Sequence, residues 1–239
     1  MNSKKVLIFM AISFLIYISL WFLTSYSVIS NGGVNSPEDI MNIASVYVGA
    51  NYFYAVSALY TGVIVLLIES QLYNLEIQRI IRVGRKKYYK SIVRNGILLC
   101  VIYTFVFLLP QILLNSIYIK TDILINGRYY IGMVFYFFGL LTAFLFGFAI
   151  SLFFFSIITS RTKTFFATFL FCIIFASVLS KRYIDMVYTD ADVFGLLSIG
   201  EFYVIEYSLK LIKNSLINLL IFIIAGYIFG RKDLISERL

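Results

Sequence analysis

The sequence has no histidine, two cysteines and two prolines among 239 residues, and only 13% of its residues are charged. Without histidine there is no imidazole to bind zinc or act as a general base. Ser-His and Cys-His nucleophilic pairs are excluded with it. Cys100 and Cys172 both lie inside long apolar runs, so neither a disulfide framework nor a cysteine-rich metal cluster is expected. No Gly-x-x-x-x-Gly-Lys-Ser/Thr phosphate loop and no Gly-x-Ser-x-Gly elbow occurs. The chain is not expected to be catalytic by itself, nor to bind a cofactor.

Apolar residues dominate instead. The chain is 61% hydrophobic and 18% aromatic, with a mean hydropathy of +0.92. A soluble domain carries about 45–50% apolar and about 25% charged residues, and disorder requires low hydrophobicity. Both classes are therefore excluded. The formal net charge of +8 would suggest nucleic acid in a polar chain. In one this apolar it reads as a device that orients the protein in a membrane, and no nucleic-acid partner is expected.

A helix crossing a bilayer needs ~20 mostly apolar residues. Six runs suit: 6–28, 46–68, 96–118, 129–158, 165–180 and 211–229, with Lys213 at the edge of the last. Their backbone groups have no water to bond, so each run must close its own hydrogen bonds as a helix. They lack the apolar–polar alternation of barrel strands. The expected fold is all-α and integral to the membrane, a single domain over 1–239 with six spans. The run at 129–158 exceeds one straight crossing and holds Gly132, Gly139 and Gly147, small residues that let helices approach closely. Pro110 interrupts the third run, and the fifth is short, ending at Lys181 and Arg182. Lys4 and Lys5 precede a first run too long for a signal-peptide core and without a small-residue cleavage site, so a retained signal anchor is expected.

Basic residues set the orientation. With the N-terminus in the cytoplasm, the inner segments hold Lys4, Lys5, Arg79, Arg82, Arg85, Lys86, Lys87, Lys90, Arg94, Arg161, Lys163, Arg231, Lys232 and Arg238. The outer segments hold Lys120, Arg128, Lys181, Arg182, Lys210 and Lys213. The excess inside supports this orientation, with both termini cytoplasmic.

Outside, the segment 31–45 is turn-rich, and Ser36 with Asp39 suits a helix cap. Between spans five and six, 196–211 has helical apolar spacing, and Glu206 with Lys210 is an i,i+4 pair. A short amphipathic helix on the outer face is expected there. Inside, between spans two and three, Leu75, Ile77, Ile80 and Ile81 fall on one helical stripe, and Arg79, Arg82 and Lys86 on its neighbour. Gly84 suits a helix stop. Two readings stand: a helix along the cytoplasmic surface with a specific partner, or charges that only anchor the hairpin.

Every acidic residue sits at or beyond a span end, Glu69 being the nearest. Ion-coupled carriers and carboxylate-based intramembrane enzymes need ionisable groups near the midplane. A bundle without them that moves a cargo must draw its energy from outside.

The stretch from Asn74 to Arg85 resembles a motif of the ABC-2 type permeases, the membrane subunits of ATP-binding-cassette exporters. That motif, just after the second span, is similar to Thr-Leu-Glu-Leu-Leu-Leu-x-x-Pro-Val-Ser-Arg. Leu75, Glu76, Val83 and Arg85 match it, Ile77 is conservative, Asn74 stands for the threonine and Arg82 for the proline. Lys90 stands near the start of span three, where members commonly have a basic residue. The six-span layout resembles theirs over the whole chain, whereas residue matching is confined to 75–90.

The resemblance implies that this segment is a coupling helix seated in a groove of a partner ATPase. Glu76, Arg79, Arg82 and Arg85 would meet the partner with their charges, and Leu75, Ile77, Ile80 and Ile81 would supply the apolar side. It also implies short external helices between spans five and six, a second permease chain (a copy or a paralogue), and ATP with Mg on the partner rather than here. The amphipathic helix that many members carry before span one has only residues 1–5 available. Cargo of such small permeases is often an amphipathic peptide, antimicrobial ones included, or a membrane lipid. The aromatics of span four, from Phe135 to Phe148, would either line a path for it or simply face lipid or fill the core. The location implied is the bacterial cell membrane. The alternative function is a non-transporting binder, an immunity or sensor protein that captures a peptide at the outer face.

Overall fold

In a computed structural model, residues 3–32, 34–36, 39, 80, 82–158, 161–174 and 201–231 are described. Among them every regular element is a helix, and no strand occurs. The helices are α1 (Ser3–Ser30), α2 (Arg85–Tyr118), α3 (Thr121–Asn126), α4 (Tyr129–Ile157), α5 (Arg161–Ile174) and α6 (Glu201–Arg231). Four of the described helices are long and apolar enough to cross a membrane, over Val6–Ser30, Arg85–Tyr118, Tyr129–Ile157 and Val204–Arg231. The expected second span at 46–68 and residues 181–200 of the outer segment expected at about 181–210 lie outside the described residues, as do positions 175–180 of the fifth span.

Several helix boundaries extend beyond the apolar runs. α2 begins at Arg85, eleven positions before the apolar run at Gly96, because Lys and Arg are good helix formers and charge does not interrupt a helix. It also continues through the buried Pro110. A proline removes one hydrogen bond, which membrane helices tolerate. α5 starts at Arg161 rather than Phe165. α6 runs unbroken from Glu201 to Arg231, so the second half of the expected outer amphipathic helix and the sixth span are one element. No glycine or proline separates Glu201 from Ala225, and nothing stops the helix between them. The Glu206–Lys210 pair forms, at 3.4 Å.

α4 is the central element, packed against α2, α3, α5 and α6, while α1 packs on α2. Cross-helix contacts give the directions. Tyr17 meets Tyr103, and Trp21 meets Asn115 and Tyr118, so α1 runs parallel to α2. Tyr103 meets Phe144 and Asn115 meets Tyr129, so α4 runs antiparallel to α2. Phe135 meets Tyr207 and Phe155 meets Phe229, so α6 runs parallel to α4.

The bundle exposes apolar side chains and buries polar ones among its apolar core. Its interior holds Ser13, Ser25, Thr104, Gln111, Asn115, Ser151, Asn214 and Asn218, all buried. Its exterior carries Leu7, Leu15, Leu23, Leu98, Ile117, Ile205, Leu209, Leu216 and Ile223, all exposed. Large contiguous apolar surface of this kind requires cover, and hydrocarbon supplies it over lengths that match a bilayer. On α6 the buried seam is Tyr207, Asn214, Asn218, Ala225 and Phe229, and apolar side chains occupy most of the remaining surface. The aromatics of α4 divide in the same way. Tyr136, Phe144, Phe146 and Phe148 are buried, and Phe138 is 49% exposed, so within the described bundle this row serves mainly as packing.

Candidate functional site

The helix directions gather charge at one end. The head of α2, the tail of α6, the start of α1 and the start of α5 lie together, which collects Lys4, Arg82, Lys86, Lys87, Lys90, Arg94, Lys163 and Arg231. The described carboxylates Asp39, Asp122 and Glu206 all belong to the opposite, mixed end.

The basic end also holds the described part of the expected partner-contact segment, Ile80, Arg82 and Arg85. Leu75, Glu76, Ile77, Arg79 and Ile81 lie outside the described residues. Ile80 is buried, Arg82 and Val83 are exposed, and Arg85 is half-buried. Gly84 has φ +86°, a left-handed conformation that glycine adopts without penalty. Its N–H donates to Ile80 O at 2.8 Å, which closes the preceding helical turn. Its carbonyl accepts from Tyr88 N–H at 3.0 Å, which opens α2. The expected helix stop is therefore also a joint: helix resumes at once, in a new direction. Arg85 belongs to the rod beyond the joint, not to the segment before it.

Beyond the joint, α2 is clamped to α6. Arg85 Nη1 donates to Gly230 O at 3.3 Å, a cation at a helix C-terminus, where the dipole favours it. Tyr89 Oη donates to Phe222 O at 2.6 Å, and the Tyr88 ring stacks on Phe229 at 6.4 Å. Gly226 leaves room for the Tyr89 ring, which a Cβ there would meet at 2.7 Å. Arg231 lies 4.2 Å over the Tyr227 ring, a cation–π contact.

At the mixed end a polar chain links three helices. Trp21 Nε1 donates to Asn115 Oδ1 at 2.8 Å, and Asn115 Nδ2 donates to Tyr129 Oη at 2.8 Å. Tyr129 Oη donates to Gln111 O at 3.4 Å. The Gln111 side chain is fully buried, and neither its amide oxygen nor its amide nitrogen has a hydrogen-bond partner. Sequence reasoning missed this chain. Its signal was present: Gln111 and Asn115, one turn apart in an otherwise apolar run just after Pro110, are the kind of polar residues that bond between membrane helices. Lower in the bundle, Asn218 Nδ2 donates to Thr142 O at 2.9 Å.

Outside the spans, Asp39 Oδ2 accepts from Asn35 N–H at 2.9 Å, Ser36 N–H at 2.8 Å and Ser36 Oγ at 3.0 Å. Half of the expected cap is realised, since Asp39 reaches back to Ser36. Asp39 N–H donates to the Ser36 carbonyl rather than to its hydroxyl. The Asn35 backbone donor first, then the Ser36 backbone and hydroxyl donors, hold the Asp39 carboxyl below its ordinary pKa of 3.8.

Among the described side chains no Asp, Glu, Lys or Arg is buried. No family model, curated protein or solved structure matches the chain.

Proposed function

We propose that this chain is the permease subunit of an ABC-type exporter in a bacterial cell membrane, worked by a separate ATPase at the basic end. It pairs with a second permease chain, a copy or a paralogue, and moves an amphipathic peptide or lipid-like cargo. ATP and Mg are bound by the ATPase. The basic end faces the cytoplasm, following the positive-inside rule.

The observation that carries the reading is the joint at Gly84. The helical turn at Ile80–Val83 connects directly to α2, and α2 touches α1, α4 and α6. A push on segment 75–83 arrives on a helix that contacts much of the bundle. That no described Asp, Glu, Lys or Arg side chain is buried supports the same reading, because ion coupling normally uses such groups near the midplane.

The test is reconstitution with a nucleotide-binding subunit that co-purifies in mild detergent. Glu76→Lys and Arg82→Glu are expected to abolish cargo-stimulated ATP hydrolysis while membrane insertion persists. Unchanged stimulation overturns the proposal. Cargo capture that survives removal of every ATPase would favour the peptide-binding immunity or sensor protein instead.

A further inference from the structure

We propose that the exposed face of the first turns of α2 is a binding site for one anionic phospholipid, with the headgroup phosphate between Lys90 and Arg94 and the acyl chains along Ile97, Leu98 and Phe105. The proposal requires only that the bundle sits in a membrane, so it stands apart from the permease reading.

Lys86, Lys87, Lys90 and Arg94 are all exposed, while Tyr88, Ile92, Gly96 and Leu99 on the other side of the helix are buried. At 3.6 residues per turn the four cations share one third of the helix surface and span about 12 Å of its length. None of them makes an ion pair with a described carboxylate, since those stand at the opposite end. The adjoining segments outside the described residues add Glu69, Glu76, Asp233 and Glu237, but also Arg79, Lys232 and Arg238, so the basic excess persists. Like charges three and four residues apart repel and weaken a helix. A bridging anion relieves that repulsion.

The shape of the stripe identifies the anion. Within one turn of Arg94 the same face becomes apolar, with Ile97, Leu98 and then Phe105 exposed. A soluble phosphate would satisfy the cations and leave this track unused. A membrane phospholipid with an acidic headgroup satisfies both, because its charge and its chains are joined end to end as the residues are. Basic side chains at a membrane surface attract acidic lipids in this way.

The experiment is native mass spectrometry of the full chain in mild detergent, titrated with phosphatidylglycerol or with phosphatidylcholine. Phosphatidylglycerol is expected to bind more tightly. Lys90→Gln with Arg94→Gln should weaken it roughly five-fold per cation removed. Lys4→Gln with Lys163→Gln, which removes the same charge from the same end, should leave binding unchanged. Lys90→Arg with Arg94→Lys should preserve it. Equal retention of the two lipids overturns the proposal. Equal loss in both glutamine pairs overturns it in favour of a diffuse field, and displacement by inorganic phosphate in favour of a simple anion site.

Discussion

Trp21 is the only tryptophan, and its fully buried indole donates to Asn115. Asn115→Leu removes that acceptor and the donor to Tyr129 together. It should lower stability by about 0.6 kcal/mol per bond, the average for interhelical hydrogen bonds in a membrane, and by no more than about 1.7 kcal/mol for either. It should also shift Trp21 fluorescence to the blue, and an unaltered emission spectrum would contradict the bond. Asp39 offers a pH test. Its folded pKa is depressed, so the turn it closes is stabilised above the unfolded value of 3.8 and loses that support only as pH falls through the lower folded value. A carboxyl chemical-shift titration of Asp39 should give a midpoint below 3.8. Asp39→Asn should leave the turn insensitive over the same range. Ser36 and Asp39 were legible as a cap because their spacing is local. The Trp21–Asn115–Tyr129 chain was not, because its members meet only when three distant runs pack.

α4 was readable to within a residue of its end, since an uncharged run bounded by Arg128 and Arg161 leaves little choice. α2 and α6 contain the expected apolar runs and extend past them at their charged ends, where hydropathy does not report helicity. The backbone keeps its hydrogen-bond ladder across the water–lipid boundary, and hydropathy changes there without any structural break. Close approach between elements was equally hidden. Gly96 on α2 packs against the ring of Phe148 on α4, and a Cβ at Gly96 would overlap that ring. Phe148 is buried and has little room to yield. Gly96→Ala is expected to destabilise the α2–α4 packing by about 1–3 kcal/mol, read as a lowered Tm in detergent. Adding Phe148→Leu should recover part of the loss.

At the scale of the described bundle, the division between lipid-facing and buried positions was legible only as an average. A helix that is hydrophobic all round does not reveal which side meets lipid and which meets another helix. Charge segregation was legible, because basic residues cluster in sequence before they cluster in space. It leads to an accessibility prediction. A cysteine at Lys87 should react with a membrane-impermeant maleimide only in inverted vesicles or permeabilised cells, and one at Asp122 should react in intact cells. The native Cys100 and Cys172 are buried and should contribute little background. The reverse labelling pattern would invert the proposed orientation.

α2 is a rod of about 50 Å at 1.5 Å per residue, preceded by the left-handed turn at Gly84 and lacking one backbone hydrogen bond at Pro110. Bending of such a rod concentrates where the bond is absent. If the proposed ATPase works the bundle from the basic end, flexing should surface beside Gln111 and Asn115, at the opposite end. There the idle amide of Gln111 would be the first group to change its neighbours.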